Sequence, residues 1–208
     1  MRCFVLGNGP SLKNTNLDLL QGEIVFGCNN IHLAYGFTKM RVTHYIRAEE
    51  ADTDINLNNW QESIDVHKEL GCQMYVNHVF ENADGTRVHE IRTCTHYRRH
   101  FSNPDAPHLW HLPTLCTFGT SVNVAVQIAV QLGYGPIYLV GCDLGYNAGV
   151  SHFDDNYKTG NEQSPIYANG DALAAHIIAA RSSPVKIYNA TIGGNLEVYE
   201  RVQYESLF

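Results

Sequence analysis

Several things are missing from this sequence of 208 residues, and each absence removes a class of function. No apolar run approaches the roughly 20 residues that span a bilayer. Basic residues are few: 14 Lys and Arg against 21 Asp and Glu give a formal net charge of −7. A nucleic-acid-binding module needs a basic stripe to neutralise phosphates, and the one short cluster here, Arg92 to His100, reads as a solvated face. None of the six cysteines forms a C-x-x-C pair, and Cys3, Cys28 and Cys142 lie in or at the end of apolar runs, as buried thiols in a reducing compartment do. Met1-Arg2 runs straight into an apolar stretch and a glycine turn without a signal-peptide pattern, which sets the expectation of a cytoplasmic protein, working at most at the inner face of a membrane. Internal repeats, low-complexity tracts and dividing linkers are also missing, so one domain over 1–208 is expected.

What is present alternates. Short apolar runs closed by glycine or polar residues read as buried strands at Cys3–Leu6, Glu23–Cys28, Val42–Ile46, Cys72–Phe80, Pro136–Val140 and Val185–Tyr188. Helical spacing falls at Leu57–Leu70, Thr120–Leu132 and Asp171–Ala180. The middle one is apolar almost all round, with Thr120 or Ser121 as N-cap and Gly133 or Gly135 beyond its end. The stretch 85–115, rich in His, Arg, Asn and Pro, reads as an irregular insertion or lid. Strands alternating with helices imply an α/β fold with a mostly parallel central sheet covered on both faces.

In such a sheet, ligands bind where strands end and helices begin. Four places qualify. After the first strand comes Gly7-Asn8-Gly9-Pro10-Ser11-Leu12, in which Gly9 allows close backbone approach while Asn8 and Ser11 supply hydrogen-bonding groups. Leu12 stands where a dinucleotide fingerprint has its third glycine, and no Gly-Lys-Ser/Thr follows, so neither common phosphate loop is present. The second place is Asn29-Asn30, able to read a base edge or a ribose, or simply to form a turn. The third is Thr120-Ser121, a helix N-terminus that suits a phosphate or is plainly capped. The fourth is Gly141-Cys142-Asp143, where a carboxylate leaves a hydrophobic strand at the height of the expected cleft.

Taken together, Asn8 to Leu12 after a first strand, Asn29 after the second, Thr120-Ser121 before a helix ending Leu132-Gly133-Tyr134, and Ile137-Tyr138-Leu139 leading to Gly141 and Asp143 resemble the bacterial sialyltransferases that use CMP-sialic acid. The later segments VGCDLGY, Ser151-His152-Phe153 and Tyr188 to Gly194 are similar to a wider group. It includes motility-associated flagellin glycosyltransferases and archaeal 6-hydroxymethylpterin diphosphokinase. The resemblance implies a Rossmann-like three-layer transferase. Asn8, Asn29, Thr120 and Ser121 would contact the CMP moiety, with Gly141 and Asp143 lining the same pocket and no obligatory metal. Its implied partners are a nucleotide-sugar donor and a glycan acceptor of the cell surface, as in lipopolysaccharide biosynthesis; homo-oligomerisation is left open.

The sequence also departs from the sialyltransferase pattern. The place of that family's catalytic histidine falls near Tyr167, Gly145 stands where its first phosphate-holding tyrosine is expected with Tyr146 adjacent, and Arg47 to Glu49 replace an asparagine. His152 is then the candidate base, because an imidazole titrates near neutrality, and Tyr146 or Tyr157 could steady a departing phosphate. Two other readings stay open at this point. One is a pyrophosphate transfer from ATP with Mg²⁺ held around Asp143 to Asp155. The other is a nucleotide-binding subunit without catalysis.

Overall fold

The computed structural model describes residues 1–48, 54–77, 88–94, 114–116, 120–145, 152–157 and 165–208. Its strands are β1 (Cys3–Leu6), β2 (Val25–Cys28), β3 (His44–Arg47), β4 (Gln73–Asn77), β5 (Val88–Cys94), β6 (Thr114–Cys116), β7 (Ile137–Val140), β8 (Ile187–Asn189) and β9 (Glu200–Arg201). They form one sheet in the order β6-β5-β4-β3-β2-β1-β7-β8-β9, and every neighbouring pair is parallel.

The two-residue period of β1 explains the layers. Cys3 and Val5 join a core on one face, with Phe26, Cys28, Ile46, Leu139 and the apolar residues of helix α2 (Ser121–Gln131). Phe4 and Leu6 join a second core on the other face, with Leu12, Leu17, Leu20, Ile31, Tyr45, Met74, Phe153 and Tyr204. Burial on both sides is why these strands read as continuous apolar runs. Helix α1 (Asp54–Glu69) sends Ile64 to the second core, and α3 (Pro165–Ser182) sends Ala175 and Ala179 to the first. The fold is therefore a Rossmann-like three-layer α/β sandwich.

Helix α2 begins where its sequence says it should. The Thr120 side chain accepts a hydrogen bond from the Val122 N–H at 3.3 Å, capping one orphan donor. At the other end Gly133 turns into the left-handed region at φ 80°, and the N–H groups of Gly133 and Tyr134 bond back to Val130 and Ala129.

The stretch expected to be irregular, 85–115, contributes β5 and most of β6; the rest of it lies outside the described residues. Short 3₁₀ turns at Pro10–Asn14, Leu17–Leu20 and Ile31–Gly36 cover the second face between β1 and β3, where a reading by helical period finds nothing. No helix among the described residues is long and apolar enough to cross a membrane.

Strand order decides where a site can form. From β1 the chain builds outward through β2 to β6, then returns to place β7 against the other side of β1. The connections therefore diverge between β1 and β7, and their carboxyl ends are where a ligand crevice is expected in such a sheet. Gly7-Asn8-Gly9 follows β1 there, and Gly141-Cys142-Asp143 follows β7.

Candidate functional site

The two loops at the crevice are welded by backbone contact. Past the end of the ladder, the Gly7 N–H donates to Val140 O at 2.8 Å and the Gly9 N–H to Gly141 O at 2.9 Å. A Cβ on Gly7 would strike the Gly141 carbonyl, and one on Gly9 would strike the Asp143 carboxylate. Both glycines are thus demanded by proximity. Gly141 sits at φ 68°, a conformation that favours glycine, and a Cβ there would lie 2.5 Å from Leu12 Cδ1. Leu12, in place of a third fingerprint glycine, fills the space beside Gly141 and is fully buried.

Asp143 is held by the first loop. The Ser11 hydroxyl donates to Asp143 Oδ2 at 2.8 Å, and the Ser11 N–H reaches its two oxygens at 3.3 and 3.4 Å. Desolvation pushes the Asp143 pKa upward, partly offset by these bonds. Behind it, the Asn195 N–H donates to the Asp143 carbonyl at 2.7 Å, and Gly194, at φ 72°, packs where a Cβ would lie 2.8 Å from the Asp143 backbone. The Thr191 hydroxyl accepts from the Cys142 N–H at 3.0 Å. The segment 191–195 is part of the site's wall, a role the strand-end reading of the residues missed; its paired glycines were the available signal.

Asn8 connects the crevice to the next strand. Its Nδ2 donates to the Cys28 carbonyl at 3.0 Å and to the Tyr157 hydroxyl at 2.9 Å, while its Oδ1 is buried and has no hydrogen-bond partner among the described residues. Asn29 follows Cys28 at φ 51°, one of two non-glycine residues with positive φ among those described. The other is Leu144, beside Asp143 at φ 48°. Both strained positions lie at the carboxyl edge, where such strain tends to gather around function. The Ser121 hydroxyl sits 3.4 Å from Asn29 Oδ1, bringing the N-terminus of α2 to the end of β2. Asn30 is buried and accepts from the Arg47 guanidinium at 3.4 Å.

The sequence-nominated residues therefore form a connected row, Asp143, Ser11 and Gly9 and then Asn8, Asn29, Ser121 and Thr120, with the Cys28 carbonyl as the link between Asn8 and the end of β2. Thr120 spends its side-chain oxygen on capping.

The residues 152–157 lie over the first loop. The Phe153 N–H donates to the Asn8 carbonyl at 3.0 Å, and the Phe153 ring is fully buried. His152 stacks on Tyr157 with ring centroids 3.9 Å apart and planes 7° from parallel. Burial lowers the His152 pKa to about 4, so the ring is neutral at pH 7. That is a correction to a base titrating near neutrality: His152 can take up a proton, but more weakly than a free imidazole. Tyr146, and the segment 158–164 beyond Tyr157, lie outside the described residues. Among the described residues, no group of three or more His, Cys, Asp and Glu gathers at metal-binding distance.

No family model matches the sequence, and no curated protein matches it. Solved structures do. The MAf glycosyltransferase from Magnetospirillum magneticum AMB-1 superposes over 100% of this chain and 34% of its own, with a TM-score of 0.60 and 15% identity. The sialyltransferase CstII from Campylobacter jejuni, in complex with the substrate analogue CMP-3FNeuAc, covers 97% of this chain and 85% of its own, with a TM-score of 0.54 and 15% identity. This chain has their fold. It spans about a third of the length of the MAf glycosyltransferase. At 15% identity the likeness fixes the arrangement of strands and helices, while the chemistry rests on this chain's own residues.

Proposed function

We propose that this chain is a glycosyltransferase that moves a sialic-acid-like sugar from a CMP donor to a glycan of the cell surface, acting as one nucleotide-binding domain over 1–208. The observation that carries the reading is the crevice between β1 and β7, where Asn8, Gly9, Ser11, Gly141 and Asp143 meet, with Asn29, Asn30, Thr120 and Ser121 along the same edge. Support comes from two glycosyltransferases of the same fold, one of them solved in complex with the substrate analogue CMP-3FNeuAc.

In this reading the nucleotide lies along the edge, its phosphate toward the N-terminus of α2, where the helix dipole favours negative charge. Transfer breaks the bond between the sugar's anomeric carbon and a phosphate oxygen, which leaves with its electron pair as CMP. The acceptor hydroxyl forms the new bond and gives up its proton. His152, neutral at pH 7, is the base we assign to it, and Tyr146 is assigned to the leaving phosphate. No metal takes part in this scheme. The cytoplasmic side of a membrane is the place we assign to the reaction.

The test is release of CMP from a CMP-sialic acid in the presence of a glycan acceptor, measured with and without EDTA. Turnover that survives EDTA supports the reading. Turnover of ATP with Mg²⁺ in its place would replace it with pyrophosphate transfer, and binding without turnover would leave a sensing subunit.

A further inference from the structure

The Asn8 side chain has its orientation fixed by its neighbours. A backbone carbonyl can only accept, so the group facing Cys28 O at 3.0 Å is the NH₂ end of the amide. The second proton of that NH₂ meets the Tyr157 hydroxyl oxygen at 2.9 Å. Both donors are thereby used, and the amide cannot flip without setting its oxygen against the Cys28 carbonyl. What remains is Oδ1, an acceptor, buried and without a partner among the described residues. Leaving a buried acceptor unmet is costly, because it has given up its water and gained nothing, and a ligand supplying a donor returns that cost.

Tyr157 is itself well held. Its ring is stacked on His152 and packs edge-on against the buried Phe153, whose N–H grips the Asn8 carbonyl. The residues 152–157 thus clasp Asn8 through its backbone and its side chain together. Since Oδ1 is out of reach of solvent in the ligand-free chain, a ligand displaces neighbouring atoms before it bonds there.

We propose that Tyr157 is a positioning residue that, with the Cys28 carbonyl, locks the Asn8 amide so that the first loop offers only an acceptor, making it a subsite for a hydroxyl or amine of the ligand and not for a phosphate oxygen. The proposal rests on the nucleotide-binding reading above and refines it. The shared chemistry is a hydrogen-bond donor, supplied either by a ribose hydroxyl or by the exocyclic amine of a base.

Tyr157→Phe tests it with two readouts. In the ligand-free protein, the wild type shows a through-hydrogen-bond coupling from Asn8 Nδ2 to the Cys28 carbonyl carbon and slow exchange of both side-chain amide protons. In Tyr157→Phe one of those protons exchanges at least about tenfold faster. Fast exchange of both in the wild type overturns the lock, whatever nucleotides do. The second readout compares CMP with 2′-deoxy-CMP, 3′-deoxy-CMP and UMP. The wild type prefers CMP over one of the three by roughly tenfold, the size of one hydrogen bond, and the one that loses names the donor. Tyr157→Phe erases that preference while its affinity for the disfavoured analogue changes less than about twofold. A preference that persists in Tyr157→Phe, or a variant that binds CMP more tightly, overturns the proposal. If the wild type binds none of the four, the nucleotide reading fails, and the amide readout still decides whether Asn8 is locked.

Discussion

The Ser11 hydroxyl donates to Asp143 Oδ2 at 2.8 Å, joining two loops 132 residues apart in the chain and closing the floor of the crevice between β1 and β7. This bond ties a partly desolvated carboxylate to the first loop. Burial raises the Asp143 pKa above its value in the unfolded chain. The ionised form is therefore disfavoured by folding, and its cost appears as pH rises above the unfolded value near 4. Asp143→Asn removes that cost. Its Tm at pH 7 should equal or exceed the wild type's, the difference shrinking toward pH 4, while nucleotide binding falls at least about tenfold. A variant both less stable and still able to bind would mean that the carboxylate serves the fold alone.

Gly9 faces the same carboxylate from the other side. Gly9→Ala drives a Cβ into Asp143, so the loops must part. Overpacking of this kind costs about 1–3 kcal/mol, readable as a lower urea midpoint, and nucleotide affinity should fall with it. Gly36 provides the control, since a Cβ added there would meet nothing within 4 Å: Gly36→Ala should leave both unchanged.

Much of this architecture is legible in the sequence. Cys3–Leu6, closed by a glycine, and the Thr120-to-Gly133 helix stand within a residue of their expected bounds because a doubly buried strand and a capped, uniformly apolar helix have few alternatives. β5 escaped because Val88-His-Glu-Ile-Arg-Thr-Cys mixes charge into its alternation, and β6 has only three residues. β9 is Glu200-Arg201, exposed at the opposite edge of the sheet, with no apolar pattern to read. The site divides similarly. Asn8, Asn29, Ser121 and Asp143 could be nominated because side chains at strand ends carry chemistry visible in their type. The Cys28 carbonyl and the Asn195 N–H could not, since every residue but proline has both groups and only the fold selects which ones matter.

Thr120 and Ser121 separate by role. Thr120→Ala removes the cap of α2 and should cost about 1 kcal/mol in chemical denaturation. Ser121→Ala loses the contact with Asn29 Oδ1, a long bond at 3.4 Å, and should change stability less than Thr120→Ala while weakening nucleotide binding. Equal losses of stability from both would contradict this division.

Three histidines set the acid limit of the fold. Burial lowers His67, His152 and His176 to about 4 from 6.5. The unfolded chain therefore binds more protons than the native one between those values, and stability falls as pH drops from about 6.5 toward 4. His176 is almost fully buried, with Nδ1 3.0 Å from the Tyr199 hydroxyl. Urea midpoints should decline across this range, and a folded His176→Gln should decline less steeply than the wild type. A flat profile would place these rings in water.

The most direct test of the central claim is isothermal titration of CMP into the wild type and into Gly9→Ala, each with and without Mg²⁺. Binding by the wild type that is indifferent to the metal and lost in Gly9→Ala places the nucleotide in the crevice between β1 and β7. Equal binding by both proteins, or none by the wild type, would contradict it.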